Sequence, residues 1–146
     1  NSLVGNALME QSLPFLKGYS SFASEVKAGN SRFDFRLGFP RGAAYVEVKS
    51  VSLVEDGIGK FPDAPTQRGI KHVKELIEFC EKGYRAAVLF VSQRSDTQSI
   101  TCNDEIDPEF GECLRRAEKE GVELYGINCK VTPTTISLNH AVEVKL

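Results

Sequence analysis

Hydrophobic and polar residues alternate over residues 31–37 and again over 45–50, in the first third of the chain. The first run carries aromatic residues and the second carries β-branched ones, and such alternation is typical of half-buried β-strands. Residues 38–43 between them contain two glycines and a proline, which favours a hairpin turn. If residues 39–42 form the loop, the hairpin pairs residues whose numbers add up to 81.

This register places Asp34 directly opposite Glu47, with Lys49 two residues further along the same face. Two carboxylates that face each other repel and destabilise a sheet, and a buried charge is costly unless it is paired or binds a metal. A divalent cation would relieve the repulsion, because hard cations prefer oxygen ligands. We therefore predict a metal site at this hairpin. The alternative is a structural ion-pair network formed by the same three side chains.

A strand over 22–27 precedes the hairpin and joins it through Gly29-Asn30, a typical tight turn. We interpret Glu25 and Lys27 on this strand as solvent-facing charges at the edge of the sheet. A continuous apolar run over 85–92 indicates a strand that is covered on both faces. Because it follows a helix that follows a strand, parallel pairing through a crossover is expected.

These patterns predict one mixed α/β domain in which a helix, three strands, a helix and a strand follow one another. The segment over 55–65 is dense in Gly and Pro, so we expect a loop near the rim of the hairpin site. The other predicted elements are a helix from Ala7 to about Lys17, interrupted by Pro14, a helix from Thr66 to about Lys82, a helix from Asp107 to about Glu120, a strand over 122–131 and short edge strands over 134–138 and 142–146.

Composition limits the class of protein. A chain of 146 residues is one domain's length, and the formal net charge of −2 means that any nucleic-acid binding would depend on a local basic patch. The four cysteines show no Cys-x-x-Cys spacing, so we expect free thiols. No apolar run approaches the length of a membrane span, and no cationic leader opens the chain, so a cytoplasmic protein without a membrane partner is expected.

An acidic residue, a hairpin and then Glu-x-Lys resemble the motif of the PD-(D/E)XK nuclease superfamily, although Phe33 rather than proline precedes Asp34. A wider set of blocks resembles the C-terminal domain of the sugar fermentation stimulation protein A family. The similarity covers nearly the whole chain, from about Pro14 to the end. The blocks, in chain order, are Asn30–Phe35, Tyr45–Val51, Phe61–Ala64, Arg68–His72, Gln93–Asp96 and Glu105–Pro108.

The resemblance implies a restriction-endonuclease-like αβββαβ core with a central mixed sheet flanked by helices. It implies a metal-dependent nuclease acting on DNA, with RNA as an alternative, and Mg²⁺ or Mn²⁺ as the cofactor. Asp34, Glu47 and the backbone carbonyl of Val48 would hold the metal, and Lys49 would orient a water or stabilise charge on the phosphate. In the superfamily the first helix often adds an acidic ligand, and Glu10 is the carboxylate available; a solvated glutamate is the alternative.

Relatives in the family usually carry a small domain resembling an oligonucleotide-binding fold ahead of this one. This chain begins at Asn1, so we expect residues 1–146 to be the nuclease-like domain as a C-terminal fragment. The rival interpretation is a non-catalytic DNA-binding protein, a transcriptional regulator of sugar metabolism, as the family name suggests.

Polar and basic residues cluster at the start of the helix after Thr66, where free backbone N–H groups favour anions. Arg68 and His72 are four residues apart, as are Gln67 and Lys71, so each pair shares a face of the helix. One interpretation is a phosphate-contacting patch beside the metal. A solvated face with a Lys71–Glu75 salt bridge is an equally open interpretation. Farther along the chain, Arg94 and Asp96 are expected to pair with each other. The predicted contacts to nucleic acid are Arg32, Gln67, Arg68, Lys71, His72 and Gln93.

Overall fold

A computed structural model describes residues 1–146 and contains three helices and a nine-stranded mixed sheet. The mixed α/β architecture predicted from the sequence is confirmed. The elements are α1 (Ser2–Glu10), β1 (Ser21–Ala28), β2 (Ser31–Phe39), β3 (Gly42–Val51), β4 (Leu53–Glu55), β5 (Ile58–Phe61), α2 (Gln67–Glu81), β6 (Arg85–Ser92), β7 (Ser99–Cys102), α3 (Pro108–Lys119), β8 (Glu123–Val131) and β9 (Ile136–Val144). The strand order across the sheet is β1-β2-β3-β6-β8-β9-β7-β5-β4.

Two hydrophobic layers cover the two faces of the sheet. One layer joins the sheet to α2 and α3, and the other joins it to α1 and the segment that follows α1. Strand β6 lies between the layers, pairs in parallel with β3 and β8, and is buried at every position except Arg85. The predicted buried parallel strand is therefore confirmed, and α2 supplies the crossover that leads to it.

The predicted hairpin register is also confirmed, because Phe35 pairs with Val46 and Gly38 pairs with Ala43. Phe39 and Gly42 pair as well, so the loop is only two residues long and shorter than predicted, without any change of register. The ladder between β2 and β3 ends at Phe35, although β2 continues to pair with β1 as far as Ser31. The two strands thus separate at Asp34.

The first helix differs from the prediction. It runs over Ser2–Glu10 and ends at Gln11, which adopts a left-handed conformation with φ of 50°. Proline lacks a backbone N–H, clashes with the preceding helical turn and disfavours helical geometry at the residue before it. The helix therefore ends before Pro14, and the chain continues as irregular structure. Leu13 and Leu16 are buried there without belonging to a helix.

Three shorter predictions also change. The expected loop over 55–65 contains β5 and the end of β4, which form a hairpin through Asp56 and Gly57, both with positive φ as a two-residue turn requires. Strand β7 lies in a segment expected to be a polar loop, and β9 is one continuous strand rather than two edge pieces. The starts of α2 and α3 are as predicted, with the Thr66 and Asp107 side chains capping them.

All four cysteines are free, as predicted. None of the three helices is both long enough and apolar enough to cross a membrane.

Candidate metal centre

Asp34 and Glu47 lie at one cavity of about 230 Å³, at the point where β2 separates from β3. The cavity contains three acidic side chains and three basic ones. Its lining residues are Glu25, Arg32, Phe33, Asp34, Glu47, Val48, Lys49 and Arg68.

Backbone and side-chain donors fix the Asp34 carboxylate. Its Oδ2 accepts a hydrogen bond from the backbone N–H of Val48 at 2.7 Å, and its Oδ1 accepts one from Nδ2 of Asn1 at 2.6 Å. The Val48 N–H bonds to this side chain instead of to a backbone carbonyl of β2. The side chain of Asp34 therefore replaces a backbone hydrogen bond between β2 and β3, and the two strands separate at this position.

Glu47 is a buried carboxylate, with only 4% of the residue exposed. Its Oε2 accepts a hydrogen bond from Lys49 Nζ at 3.1 Å and also contacts Nδ1 of His72. Burial first, and then the neighbouring Asp34 carboxyl, raise the pKa of Glu47 to about 7, while the charge of Lys49 acts in the opposite direction. The ionised form of Glu47 is thus disfavoured where only protein groups surround it.

His72 lies in the interior and not on the exposed, phosphate-facing surface that the sequence suggested. The residue is 4% exposed, and its Nδ1 lies 3.3 Å from Lys49 Nζ as well as against Glu47. Burial, and then the charges of Lys49 and Arg68, lower the pKa of His72 to about 4, so the ring is neutral near pH 7. The predicted contact between its ring and nucleic acid stays a prediction, and the burial of His72 gives it no support.

The two predicted pairs lie on different sides of α2. Arg68 lines the cavity and His72 contacts Glu47 and Lys49, whereas Gln67 and Lys71 line a different groove. Lys71 donates to the backbone carbonyl of Asn30 at 3.0 Å and lies 4.0 Å from Glu75. The salt-bridge interpretation of Lys71 therefore has direct structural support.

Two further predicted residues lie away from the cavity. Glu10 is the last residue of α1, whereas Asn1 at the opposite end of that helix contacts Asp34. A helix of this length separates its ends by about 12 Å, so the structure gives no support to the predicted ligand role of Glu10. Gln93 lines a separate surface depression, beside an Arg94–Asp96 pair that is bidentate, as predicted for those two residues.

Glu25 is an exposed charge on the edge strand β1, as interpreted from the sequence, and it also lines the cavity beside Asp34. The register of β1 and β2 places it opposite Asp34, since Ser24 pairs with Phe35 and Val26 pairs with Phe33. Glu25 has a φ of 51°, an uncommon conformation for a residue other than glycine. The two-residue turn Gly29-Asn30 determines this register, so the sequence contained the information that Glu25 lies opposite Asp34.

Two carboxylates that line the cavity, those of Asp34 and Glu47, are the oxygen donors that the sequence predicted for a metal. Mg²⁺ is usually held through one or two carboxylates and retains several waters. No group of three or more His, Cys, Asp or Glu side chains is placed to hold a metal ion, so two carboxylates are what the chain offers. Both Lys49 and His72 contact Oε2 of Glu47, and neither uses Oε1.

Comparison with known proteins identifies the family to which the chain belongs. A family model described as "SfsA: Sugar fermentation stimulation protein RE domain" matches residues 1–135. The chain belongs to the sugar fermentation stimulation protein (SfsA) family. The family that the sequence blocks resemble is thereby confirmed.

SfsA homologues from two bacteria illustrate the similarity. The chain is 48% identical to the homologue from Moorella thermoacetica and 44% identical to that from Clostridium perfringens strain 13, in both cases over its whole length. It spans 63% and 64% of those two proteins, so less than two thirds of their length. An additional domain resembling an oligonucleotide-binding fold stays a prediction.

A solved structure is also similar. It is described as the structure of Pyrococcus furiosus SfsA in complex with Ca²⁺, and it matches with a TM-score of 0.89 at 28% sequence identity. The match covers 96% of this chain and 61% of that chain. The observed sheet and helices are therefore the fold of an SfsA protein.

Proposed function

We propose that this SfsA domain is a metal-dependent nuclease that hydrolyses phosphodiester bonds of DNA, with RNA as an alternative substrate. The observation that carries the proposal is the cavity where Asp34 and Glu47 meet, with the ammonium group of Lys49 at 3.1 Å from Glu47. A buried carboxylate whose charge is disfavoured, next to a second carboxylate, is the arrangement that a divalent cation would stabilise.

Two further observations support this proposal. The chain order of α1, β1, β2, β3, α2 and β6 fits the αβββαβ core of restriction-endonuclease-like proteins, with β4 and β5 inserted before α2. The similar Pyrococcus furiosus SfsA is described in complex with Ca²⁺, a hard cation that takes oxygen ligands as Mg²⁺ does.

Asp34 and Glu47 would hold Mg²⁺ or Mn²⁺, with the carbonyl of Val48 as a further oxygen donor. A cation bound there supplies Lewis-acid polarisation of the phosphate and lowers the pKa of a coordinated water. Lys49 carries a fixed positive charge beside Glu47, where it orients a water or stabilises negative charge growing on the phosphate oxygens. Arg32 and Arg68 at the cavity bind the phosphate backbone, and they form the local basic patch that a chain of net charge −2 needs.

The experiment is cleavage of supercoiled plasmid and of single-stranded DNA with Mg²⁺ or Mn²⁺, against EDTA. Glu47→Gln keeps the shape of the side chain and should reduce the rate of cleavage more than ~100-fold. Removing a group that only orients a metal ligand already lowers metal affinity or activity about 10–100-fold, and Glu47 is proposed to bind the metal itself. Glu55→Gln, an exposed glutamate paired with Lys60, is the matched control and should cleave normally. Cleavage that persists in Glu47→Gln or in EDTA would overturn the proposal.

One observation favours a second candidate, a non-catalytic DNA-binding regulator. Asp34 and Glu47 already have hydrogen-bond partners within the chain, so the same groups form a polar network without a metal. A regulator of this kind would bind DNA equally well in EDTA and would leave it intact. Gel-shift assays with and without EDTA, run on the samples used for cleavage, separate the two candidates.

A further inference from the structure

We propose that His72 is a positioning residue that holds Glu47 and Lys49 in place through a single ring atom, Nδ1. The inference rests on the proposed metal-dependent function and deepens it, because a residue of α2 would orient the Glu47 and Lys49 side chains on β3. His72 is not expected to touch metal or substrate.

The contacts form a closed triangle of three polar atoms. Nδ1 of His72 contacts Oε2 of Glu47 and lies 3.3 Å from Nζ of Lys49, while Nζ lies 3.1 Å from the same Oε2. The side chains are 5% exposed for both His72 and Glu47 and 14% exposed for Lys49. Removing Nδ1 would therefore leave whichever of Glu47 and Lys49 it bonds without a contact that bulk water cannot readily replace.

Packing holds the ring itself in place. The Phe33 ring lies 5.7 Å from the His72 ring, and the flanking helix residue Val73 is completely buried. The Thr66 side chain caps the same helix by accepting from the Gly69 N–H at 2.9 Å. The imidazole thus projects from a rigid element, whereas Lys49 has a flexible four-carbon stem that would otherwise sample many rotamers.

The chemistry of Nδ1 explains why histidine suits this position. A neutral imidazole offers one donor nitrogen and one acceptor nitrogen, whereas Lys49 can only donate and an ionised Glu47 can only accept. Nδ1 can therefore donate to Glu47 or accept from Lys49, but not both in one tautomer. Either tautomer keeps one partner in register, and Lys49 and Glu47 bond to each other in both. Groups that orient a ligand in this way typically change metal affinity 10–100-fold when removed.

Two variants test the role of that atom. In asparagine the amide nitrogen is bonded to Cγ, as Nδ1 is in histidine, whereas in glutamine it lies one bond further along the side chain. We expect His72→Asn to retain Mn²⁺ affinity within a few-fold of the wild type and His72→Gln to lose about 10–100-fold, measured by calorimetry on the full chain. His140→Gln, at a histidine on the exposed strand β9, is the control and should bind as the wild type does.

A second readout keeps the inference independent of metal binding. The ¹³C signal of the Glu47 side-chain carboxyl, measured in EDTA, should shift in His72→Gln and stay near its wild-type position in His72→Asn. Equal behaviour of the Asn and Gln variants in both measurements would overturn the inference, because a role in packing alone does not depend on which nitrogen position is filled. If the wild type binds no Mn²⁺, the proposed function fails, and the carboxyl signal alone then decides the role of His72.

Discussion

The stability of the metal-free protein should depend on pH through Glu47. Burial and the Asp34 carboxyl raise the pKa of Glu47 from its ordinary value of 4.5 to about 7. A group whose pKa is raised by folding stabilises the fold below its unfolded pKa, and that contribution is lost as the pH rises through the folded pKa. For Glu47 the loss develops from pH 4.5 to about 7. At roughly 1.4 kcal/mol per pKa unit, it amounts to about 3 kcal/mol.

Glu47→Gln removes this titration and keeps the shape of the side chain. In EDTA we expect the variant and the wild type to have similar free energies of unfolding near pH 4.5, and the variant to be about 3 kcal/mol more stable at about pH 8. Urea unfolding across this pH range measures the difference curve. The control Glu55→Gln removes an exposed carboxylate, so its difference curve should be flat.

Two results would refute this reasoning. A difference between Glu47→Gln and the wild type that does not change with pH would mean that folding does not disfavour the Glu47 charge. A variant several kcal/mol less stable than the wild type at about pH 8 would mean that Glu47 is a net stabilising member of an ion-pair network. The second result would favour the non-catalytic interpretation of the same residues.

Three further predictions follow from the same geometry. Because a cation binds the ionised carboxylate, Mn²⁺ affinity measured by calorimetry should rise close to tenfold per pH unit up to the Glu47 pKa of about 7 and then level off; a pH-independent affinity would contradict this. Asp34→Asn should change the free energy of unfolding in EDTA by less than ~1 kcal/mol, since the amide oxygen can still accept from the backbone, while metal affinity measured by calorimetry falls more than ~10-fold. Arg32→Ala and Arg68→Ala should each weaken DNA binding and reduce its salt slope by about one, whereas Arg94→Ala, away from the cavity, should do neither in a filter-binding titration.

Much of the region around the site was predictable because local sequence fixes it. A two-residue turn sets the register of a hairpin, so the short segment between Phe39 and Gly42 brings Asp34 and Glu47 to one cavity, although the strand pairing itself ends at Phe35. Helix caps are equally local, and the side chains of Thr66 and Asp107 act where they were expected to act. The four-residue spacing that places two side chains on one face of a helix also held for α2.

The rest depended on contacts between distant segments. The sequence shows that Arg68 and His72 share a face of α2, but it does not show that Arg68 stays exposed while His72 is buried against Glu47 and Lys49. A histidine beside basic residues therefore predicts a phosphate contact from the sequence alone. The position of α1 against the hairpin could not be predicted either. The contact between Asn1 and Asp34 joins residues 33 positions apart, and no local sequence pattern indicates it.

The separation of β2 from β3 gives Asp34 two roles that must be kept distinct. Its Oδ2 binds the Val48 N–H in place of a ladder carbonyl, so the same carboxylate ends the strand pairing and lines the cavity. Asp34→Ala would leave that N–H without its partner, at a cost of about 1–3 kcal/mol, and would disturb the position of β3. Loss of activity in Asp34→Ala therefore could not distinguish a lost metal ligand from a displaced strand. Asp34→Asn keeps one oxygen that accepts from the Val48 N–H and removes the charge, while its amide nitrogen faces the Asn1 side chain, which can turn its own oxygen to accept. The strand position is thereby retained, so the effect of this variant on metal affinity reports the ligand role.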